Sequence, residues 1–409
     1  MSGMKAVKEI FVYGPGPSSS HTIGPYNIAK DFRDYLENKD VSSIKVTLFA
    51  SLAFTGKGHL TDQIIKKALE PYQVEVIFDT STPANHPNTL ALEAFLKDGT
   101  IIVKRYVSYG GGVFGLEGEK VKSKDIYPFS TFDELTKEMS AEKTNDVFDV
   151  LKKYEGDDLK DFALDRIQKM FSVIEKGLAS SSILPGNLRL KRVAGELNKR
   201  AEQLEDDFAK RTLLLSSFAY ATAEENAAGD FIVTAPTCGS AGVVPAVLYY
   251  EYKINHQPLE KLALALIVGG MVGDFIKANA SISGAVSGCQ AEIGSAASMA
   301  TASLCYLYNL SLHQIEYGAE VAMEHFLGLT CDPVEGYVQI PCIERNAMAA
   351  IHAYTAFLYA KEISKMRKNE VSFDNVVKAM KVTGDSLNYQ YKETSLGGLA
   401  EIIKGSKEN

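Results

Sequence analysis

From about residue 166 onward the chain carries almost no strand signal, and runs with helical spacing follow one another: 191–227, 240–254, 259–279, 290–309, 311–327, 343–367 and 371–383. Apolar residues recurring at three- and four-position intervals line one face of a helix. Gly, Ala and Ser are frequent in these runs, and small side chains let helices approach closely. Such segments bury their apolar faces against one another, which predicts a single all-helical domain. The longest apolar run, Leu262 to Gly273, is too short to span a bilayer and is interrupted by glycines, so it reads as a buried core helix.

The N-terminal part has another rhythm. IKVTLFAS (44–51), VEVIFD (74–79) and TIIVKRYVS (100–108) are rich in β-branched residues and read as strands. Helical patterns lie around them over Pro25 to Asn38, Thr61 to Leu69 and Asn88 to Leu96. Pro25 suits the first turn of a helix, where no N–H is needed. The charged stretch 131–165 reads as exposed helices and a linker. The expected fold is therefore α+β and multidomain: an α/β domain over 1–150, a charged helical linker over 151–180 and an all-helical domain over 181–409.

A length of 409 residues supports two or three domains with substantial cores. A net charge of −8 argues against an electrostatic nucleic-acid partner. The opening MSGMKAVKEI has no apolar signal-peptide core, which together with the missing membrane span predicts a cytoplasmic protein. Five cysteines in so long a chain are not a disulfide framework.

Those cysteines lead to the chemistry. Cys331 and Cys342 stand in the turn-rich stretch CDPVEGYVQIPCIERN, just ahead of a long helical pattern. Cys342 is thus expected at a helix N-terminus, where free N–H groups and the dipole favour a thiolate. Cys289 lies near another helix start, with Ser287 and Gln290 at capping-box spacing. Three cysteines so placed can hold a soft metal centre; equally, free cysteine is a common buried small hydrophobe. No CxxC pair decides between the two.

Other motifs offer polar groups. GPGPSSSHTIGP packs Ser18, Ser19, Ser20, His21 and Thr22 ahead of a helix, an arrangement suited to a carboxylate or phosphate. His21 can serve there as acid, base or hydrogen-bond donor. SLAFTGKGHLTD brings Lys57 and His59 into a loop between a strand and a helix without meeting the phosphate-loop pattern, and a plain turn explains it equally well. HPNT, with His86 and Asn88, reads first as a helix start capped by Asn88 or Thr89. TAPTCGSAGVVPA surrounds Cys238 with small residues, and backbone amides near Gly239 and Ser240 can grip a carboxylate. Cys305 reads as core. YKETSLGGLA, near the C-terminus, holds Gly397 and Gly398 in a defined turn and can close a site.

Taken together these motifs resemble the iron–sulfur-dependent L-serine dehydratases (L-serine ammonia-lyases) in their single-chain form. The likeness runs through PSSSHTIGP, AFTGKGH, HPNT and SYGGGVF in the first part, and through LPGNLRLKR, TAPTCGSAGVVPA, SGCQAEIGSA, MEHFLGLTCDPVEGYVQIPCIERNA and YKETSLGGLA in the second. The resemblance implies that Cys289, Cys331 and Cys342 hold a [4Fe–4S] cluster. It implies an N-terminal domain related to the allosteric substrate-binding domains of some phosphoglycerate dehydrogenases, and an all-helical catalytic domain. Some relatives carry a C-terminal cysteine that ligates the fourth iron; here no cysteine follows Cys342. Many have Asn where this chain has Cys238.

The implied reaction is L-serine to pyruvate and ammonia, with an open iron acting as Lewis acid on the hydroxyl and a histidine removing the Cα proton. His59 is the favoured base. His21, with Ser18, Ser19, Ser20 and Thr22, is the substrate grip, and Lys57 offsets the carboxylate. His86, Asn88, Gly239 and Ser240 complete the expected substrate contacts. The active site is expected where the two domains meet. Rival readings are elimination of sulfide from L-cysteine, a non-catalytic amino-acid sensor and a structural zinc–thiolate site. A homodimer is the expected assembly.

Overall fold

The alternation of Ile44, Val46 and Leu48 with Lys45 and Thr47 puts one face of the strand Val41–Phe49 into a core and leaves the other facing outward. In the computed structural model, which describes residues 4–119 and 124–407, this strand lies second from one edge of a five-stranded mixed sheet. It pairs in parallel with Val74–Asp79, Ile44 opposite Val74, and antiparallel with Thr89–Leu96, Val46 opposite Leu92. Ile101–Gly110 and then Val113–Leu116 complete the sheet, both antiparallel to their neighbours. The helices Gly24–Tyr35 and Thr61–Ala68 contribute Ile28, Phe32 and Ile65 to the core formed with Val46, Leu92 and Tyr106.

The stretch expected as a helix from Asn88 to Leu96 is a strand. TLALEAFL is short and almost wholly apolar, so its periodicity fits either element. Partners on both sides settle the matter, and Thr89, Leu90, Leu92 and Ala94 are buried there. Pro87 accordingly opens a turn into a strand and not a helix.

The sheet belongs to one compact unit, Gly14–Ser123 with Ala228–Phe231; the remaining residues form a helical unit. This division differs from the expected ones at 150 and 181. Val7, Ile10 and Phe11 are buried in the helical core. Gly270 makes room for Phe11, since a Cβ there would lie 2.4 Å from its ring. The charged stretch supplies amphipathic helices to the same core. Phe132–Glu142 is capped by Thr131, and Val147–Glu155 by Asp146. Leu159–Ala179 buries Ile167, Met170, Phe171 and Ile174. Charge on the outer faces had masked these inner stripes.

The helix Leu259–Asn279 is buried from Leu262 to Ile276, as its apolar run predicts. It packs tightly on Ser295–Leu307: a Cβ on Gly269 would lie 2.6 Å from the Met299 carbonyl oxygen. Asp207–Ala227, Val243–Lys253, Leu312–Glu324 and Cys342–Glu362 add to this core. The run expected over 191–227 is two helices, Ala194–Glu202 and Asp207–Ala227, because Asp206 caps the second by accepting from the Ala209 N–H. No helix among the described residues is long and apolar enough to cross a membrane.

Candidate active site

In the helical unit three separate stretches bring Cys289, Cys331 and Cys342 inward as buried free thiols. Cys289 follows Gly288, whose φ of 74° lies in the left-handed region that favours glycine. It precedes the turn Gln290–Gly294, which runs into Ser295–Leu307. Gln290 does not form the expected capping box with Ser287. Its Nε2 donates to the Met380 carbonyl at 3.1 Å and its Oε1 accepts from the Gly328 N–H at 3.0 Å, which fixes the turn. Cys331 lies beside the YKETSLGGLA segment. Its N–H donates to the Tyr391 carbonyl and its carbonyl accepts from the Glu393 N–H, each at 2.8 Å. Cys342 is the first residue of Cys342–Glu362, where its spacing predicts it.

A carboxylate joins the thiols. The donor atoms of Cys289, Glu292 and Cys331 all lie within 4.8 Å of one another, with Cys331 Sγ 4.0 Å from Glu292 Oε2. Thr237 Oγ1 donates to Glu292 Oε1 at 2.7 Å. One turn beyond Cys342, Arg345 donates to the Thr330 carbonyl at 2.7 Å and to Asp332 Oδ1 at 3.1 Å. Asn346 ties the 237–242 loop to this helix: it accepts from the Gly242 N–H at 2.9 Å and donates to the Gly239 and Cys342 carbonyls, each at 2.8 Å.

The electrostatics are those of crowded buried acids. A hydrogen bond with Cys289, then burial, pushes the Cys331 thiol well above its ordinary range. Burial, then Cys289 and Glu292, does the same to Cys342, against the opposing charge of Arg345. Burial raises Glu292, while Thr237 and Arg345 oppose it. Burial and then Glu292 push Glu393 up to about 8. Such groups repel one another once ionised, and a bound cation is what lets them give up their protons together. Sulfur donors with a carboxylate beside them fit a soft or borderline metal, or an iron–sulfur group.

In the α/β unit, His21 and His59 stack with ring centroids 4.7 Å apart and planes 30° apart. His59 Nδ1 lies 3.0 Å from the Thr55 carbonyl oxygen, which can only accept. The proton therefore sits on Nδ1, and Nε2 carries the lone pair. His21 Nδ1 pairs with Ser20 Oγ at 2.8 Å and its Nε2 with Ser51 Oγ at 3.1 Å. Burial lowers both rings below the ordinary 6.5, and His59 adds to the shift on His21. Both are neutral at neutral pH, the form a general base needs. Leu60, with φ 61°, turns the chain just after His59 into the helix Thr61–Ala68.

The remaining predicted residues divide. Ser18 accepts from the His21 N–H at 3.4 Å, and Ser20 lies 3.5 Å from it, so both belong to the histidine loop. The Ser19 carbonyl accepts from the Gly24 N–H at the start of Gly24–Tyr35. Thr22 is fully buried and donates to the Pro15 carbonyl at 2.8 Å, a structural use of its hydroxyl. Lys57 is exposed, its ammonium 5.9 Å from the centroid of the Phe78 ring. His86 lies edge-on to Tyr109 and accepts from the Asn88 N–H at 3.1 Å. Ser240 donates to the Ala235 carbonyl at 3.2 Å, and Gly239 lies against Glu292. Cys238 and Cys305 are buried. Glu292, Thr237, Arg345 and Asn346 were not foreseen. For all but Thr237 the signal was spacing from a cysteine: Glu292 is three positions beyond Cys289, and Arg345 and Asn346 are three and four beyond Cys342.

The comparisons agree with this architecture. The family described as serine dehydratase alpha chain matches residues 122–400, and that described as serine dehydratase beta chain matches residues 6–83. The L-serine dehydratase of Streptomyces coelicolor is 36% identical, over 97% of this chain and 99% of its own. L-serine dehydratase 2 of Escherichia coli is 37% identical, over 98% and 99%. The L-serine dehydratase of Helicobacter pylori strain 26695 is 36% identical, over 98% and 99%. The chain belongs to the single-chain L-serine dehydratase family, a family of lyases.

Proposed function

We propose that this enzyme converts L-serine to pyruvate and ammonia, using a [4Fe–4S] cluster held by Cys289, Cys331 and Cys342. The observation that carries this reading is the convergence of the buried thiols of Cys289 and Cys331, with Cys342 at a neighbouring helix start, in a chain of this family. When bound, such a cluster supplies a Lewis acid for the departing hydroxyl. His59 takes the Cα proton at Nε2. The Thr55 carbonyl, accepting from Nδ1–H, holds the ring in that tautomer and favours its cationic form afterwards. His21, tied to Ser20 and Ser51, orients the substrate with Ser18 and Ser20. Loss of the proton and of hydroxide gives water and aminoacrylate. The latter tautomerises to the imine and is hydrolysed to pyruvate and ammonia.

The donor chemistry supports a reducing location, since the five cysteines are free thiols, and the cytoplasm is the proposed compartment. A homodimer is the proposed assembly. The deciding experiment is anaerobic purification followed by a visible spectrum, an iron assay and pyruvate formation from L-serine, L-threonine and L-cysteine. Brown protein with serine as the best substrate is the expected result. Sulfide release from cysteine as the main activity would replace the proposed reaction. Folded protein that stays colourless after reconstitution, or holds zinc, would remove the cluster.

A further inference from the structure

Glu292 has no part in the mechanism above, yet its carboxylate oxygen lies 4.0 Å from the Cys331 thiol. We propose that Glu292 is a fourth protein ligand of the thiolate centre, occupying through Oε2 the position that L-serine takes during turnover. The inference rests on the cluster reading given under Proposed function.

Four observations lead to it. Glu292 stands three positions beyond Cys289, in the turn Gln290–Gly294, close enough in sequence for one local segment to bring both side chains to the same place. Its donor oxygen shares a 4.8 Å neighbourhood with both Cys289 and Cys331 Sγ, so the carboxylate faces the same space as the two thiols. Its two oxygens have different surroundings. Oε1 accepts from Thr237 Oγ1 at 2.7 Å, whereas Oε2 faces Cys331 Sγ at 4.0 Å. A ligating carboxylate is commonly held in this way, one oxygen fixed by a hydrogen bond and the other left for the metal. Finally, two glycines clear the space around it. A Cβ on Gly284 would lie 2.6 Å from Oε2 and 3.2 Å from Cys331 Sγ, and one on Gly239 would lie 3.0 Å from Oε1. A carboxylate serving only the packing would not need bare backbone on both sides.

A carboxylate is a weaker ligand for iron than a thiolate. A displaceable Glu292 would shield the fourth iron between turnovers and yield to the substrate, with no cysteine after Cys342 required.

The test compares wild type with Glu292→Gln and Glu292→Asp, all reconstituted anaerobically. Glutamine keeps the shape and a partner for Thr237 but binds iron poorly; aspartate keeps the charge. Far-UV circular dichroism and melting establish that each variant is folded. The readout is retention of the fourth iron without serine, followed as growth of the three-iron paramagnetic signal during a timed exposure to oxygen. Loss at least about ten-fold faster in Glu292→Gln, partly restored in Glu292→Asp, is expected for a removed ligand. Loss at the wild-type rate in Glu292→Gln overturns the proposal. If the wild type takes up no cluster, the cluster reading itself fails, and Co2+ titration decides the role of Glu292. Weaker Co2+ binding by Glu292→Gln upholds it as a ligand; equal binding overturns it.

Discussion

Cys331 and Lys392 face each other in an isolated parallel bridge, closed by the Cys331 N–H on the Tyr391 carbonyl and the Glu393 N–H on the Cys331 carbonyl. The C-terminal segment thus fixes the backbone that carries a central thiol. It is pinned further by Ser395 Oγ on the Pro333 carbonyl at 2.6 Å and the Leu399 N–H on Asp332 Oδ2 at 2.9 Å. A chain shortened after Leu387 keeps the large helical core but leaves Cys331 unclamped. Its metal affinity is expected to fall at least about ten-fold, with little change in helix content. Metal titration of the shortened and full chains checks this, and equal affinities would mean that the bridge has no bearing on the centre.

The histidine pair predicts an asymmetric pH profile. His59 must be neutral to accept a proton, and burial lowers its pKa below the ordinary 6.5. Activity on the acid side is therefore retained below 6.5 and lost only as pH falls through the lowered value. His59→Gln should keep the visible spectrum of the reconstituted protein and lose roughly 10²-fold or more in turnover. A variant that turns over normally would remove His59 as the base.

How much of this could be read in advance depended on the range of the interactions. The long helices around Leu266, Met299 and Ala349 were legible because their apolar residues repeat locally. Cys342 at a helix start was legible for the same reason. The strand Thr89–Leu96 was not, because pairing with Val41–Phe49 and Ile101–Gly110 decides it. Nor did the sequence reveal that Glu292 would meet Cys331, or that Tyr391 and Glu393 would bracket that cysteine, since these contacts join segments far apart in the chain. The placement of Val7 and Phe11 in the helical core is of the same kind.

A buried ion pair tests the scaffold beneath the site. Glu225 and Arg192 are both buried and paired, and Lys176 and Ser180 add contacts to Glu225 at 3.0 Å each. Arg192 ends the segment LPGNLRLKR, whose Pro185 carbonyl accepts from Gln339 Nε2 at 2.7 Å between Cys331 and Cys342. Glu225→Ala leaves a buried guanidinium without its partner and should cost about 3 kcal/mol or more. Chemical denaturation measures the loss. A change within experimental scatter would show that Arg192 had found water or another acid.

Stability should also respond to mild acid through His21. Its folded pKa lies well below 6.5, by burial first and then by the neighbouring His59, whereas the unfolded ring titrates near 6.5. Above that pH both states hold a neutral ring, and the group leaves stability unchanged. Below it the unfolded chain binds the extra proton first, so stability drops until the pH passes the folded value. This contribution lowers the melting temperature near pH 5 relative to pH 7, while buried acids held up near 8, such as Glu393 and Asp274, act in the opposite sense over the same window, so the variant comparison isolates the ring. His21→Gln, with one fewer ring to protonate, should show a smaller drop. Carboxylates with lowered pKa, such as Asp165 beside Lys169, lose their stabilising charge only at lower pH and do not mimic this window. Equal slopes for variant and wild type across that interval would indicate that water already reaches the His21 ring.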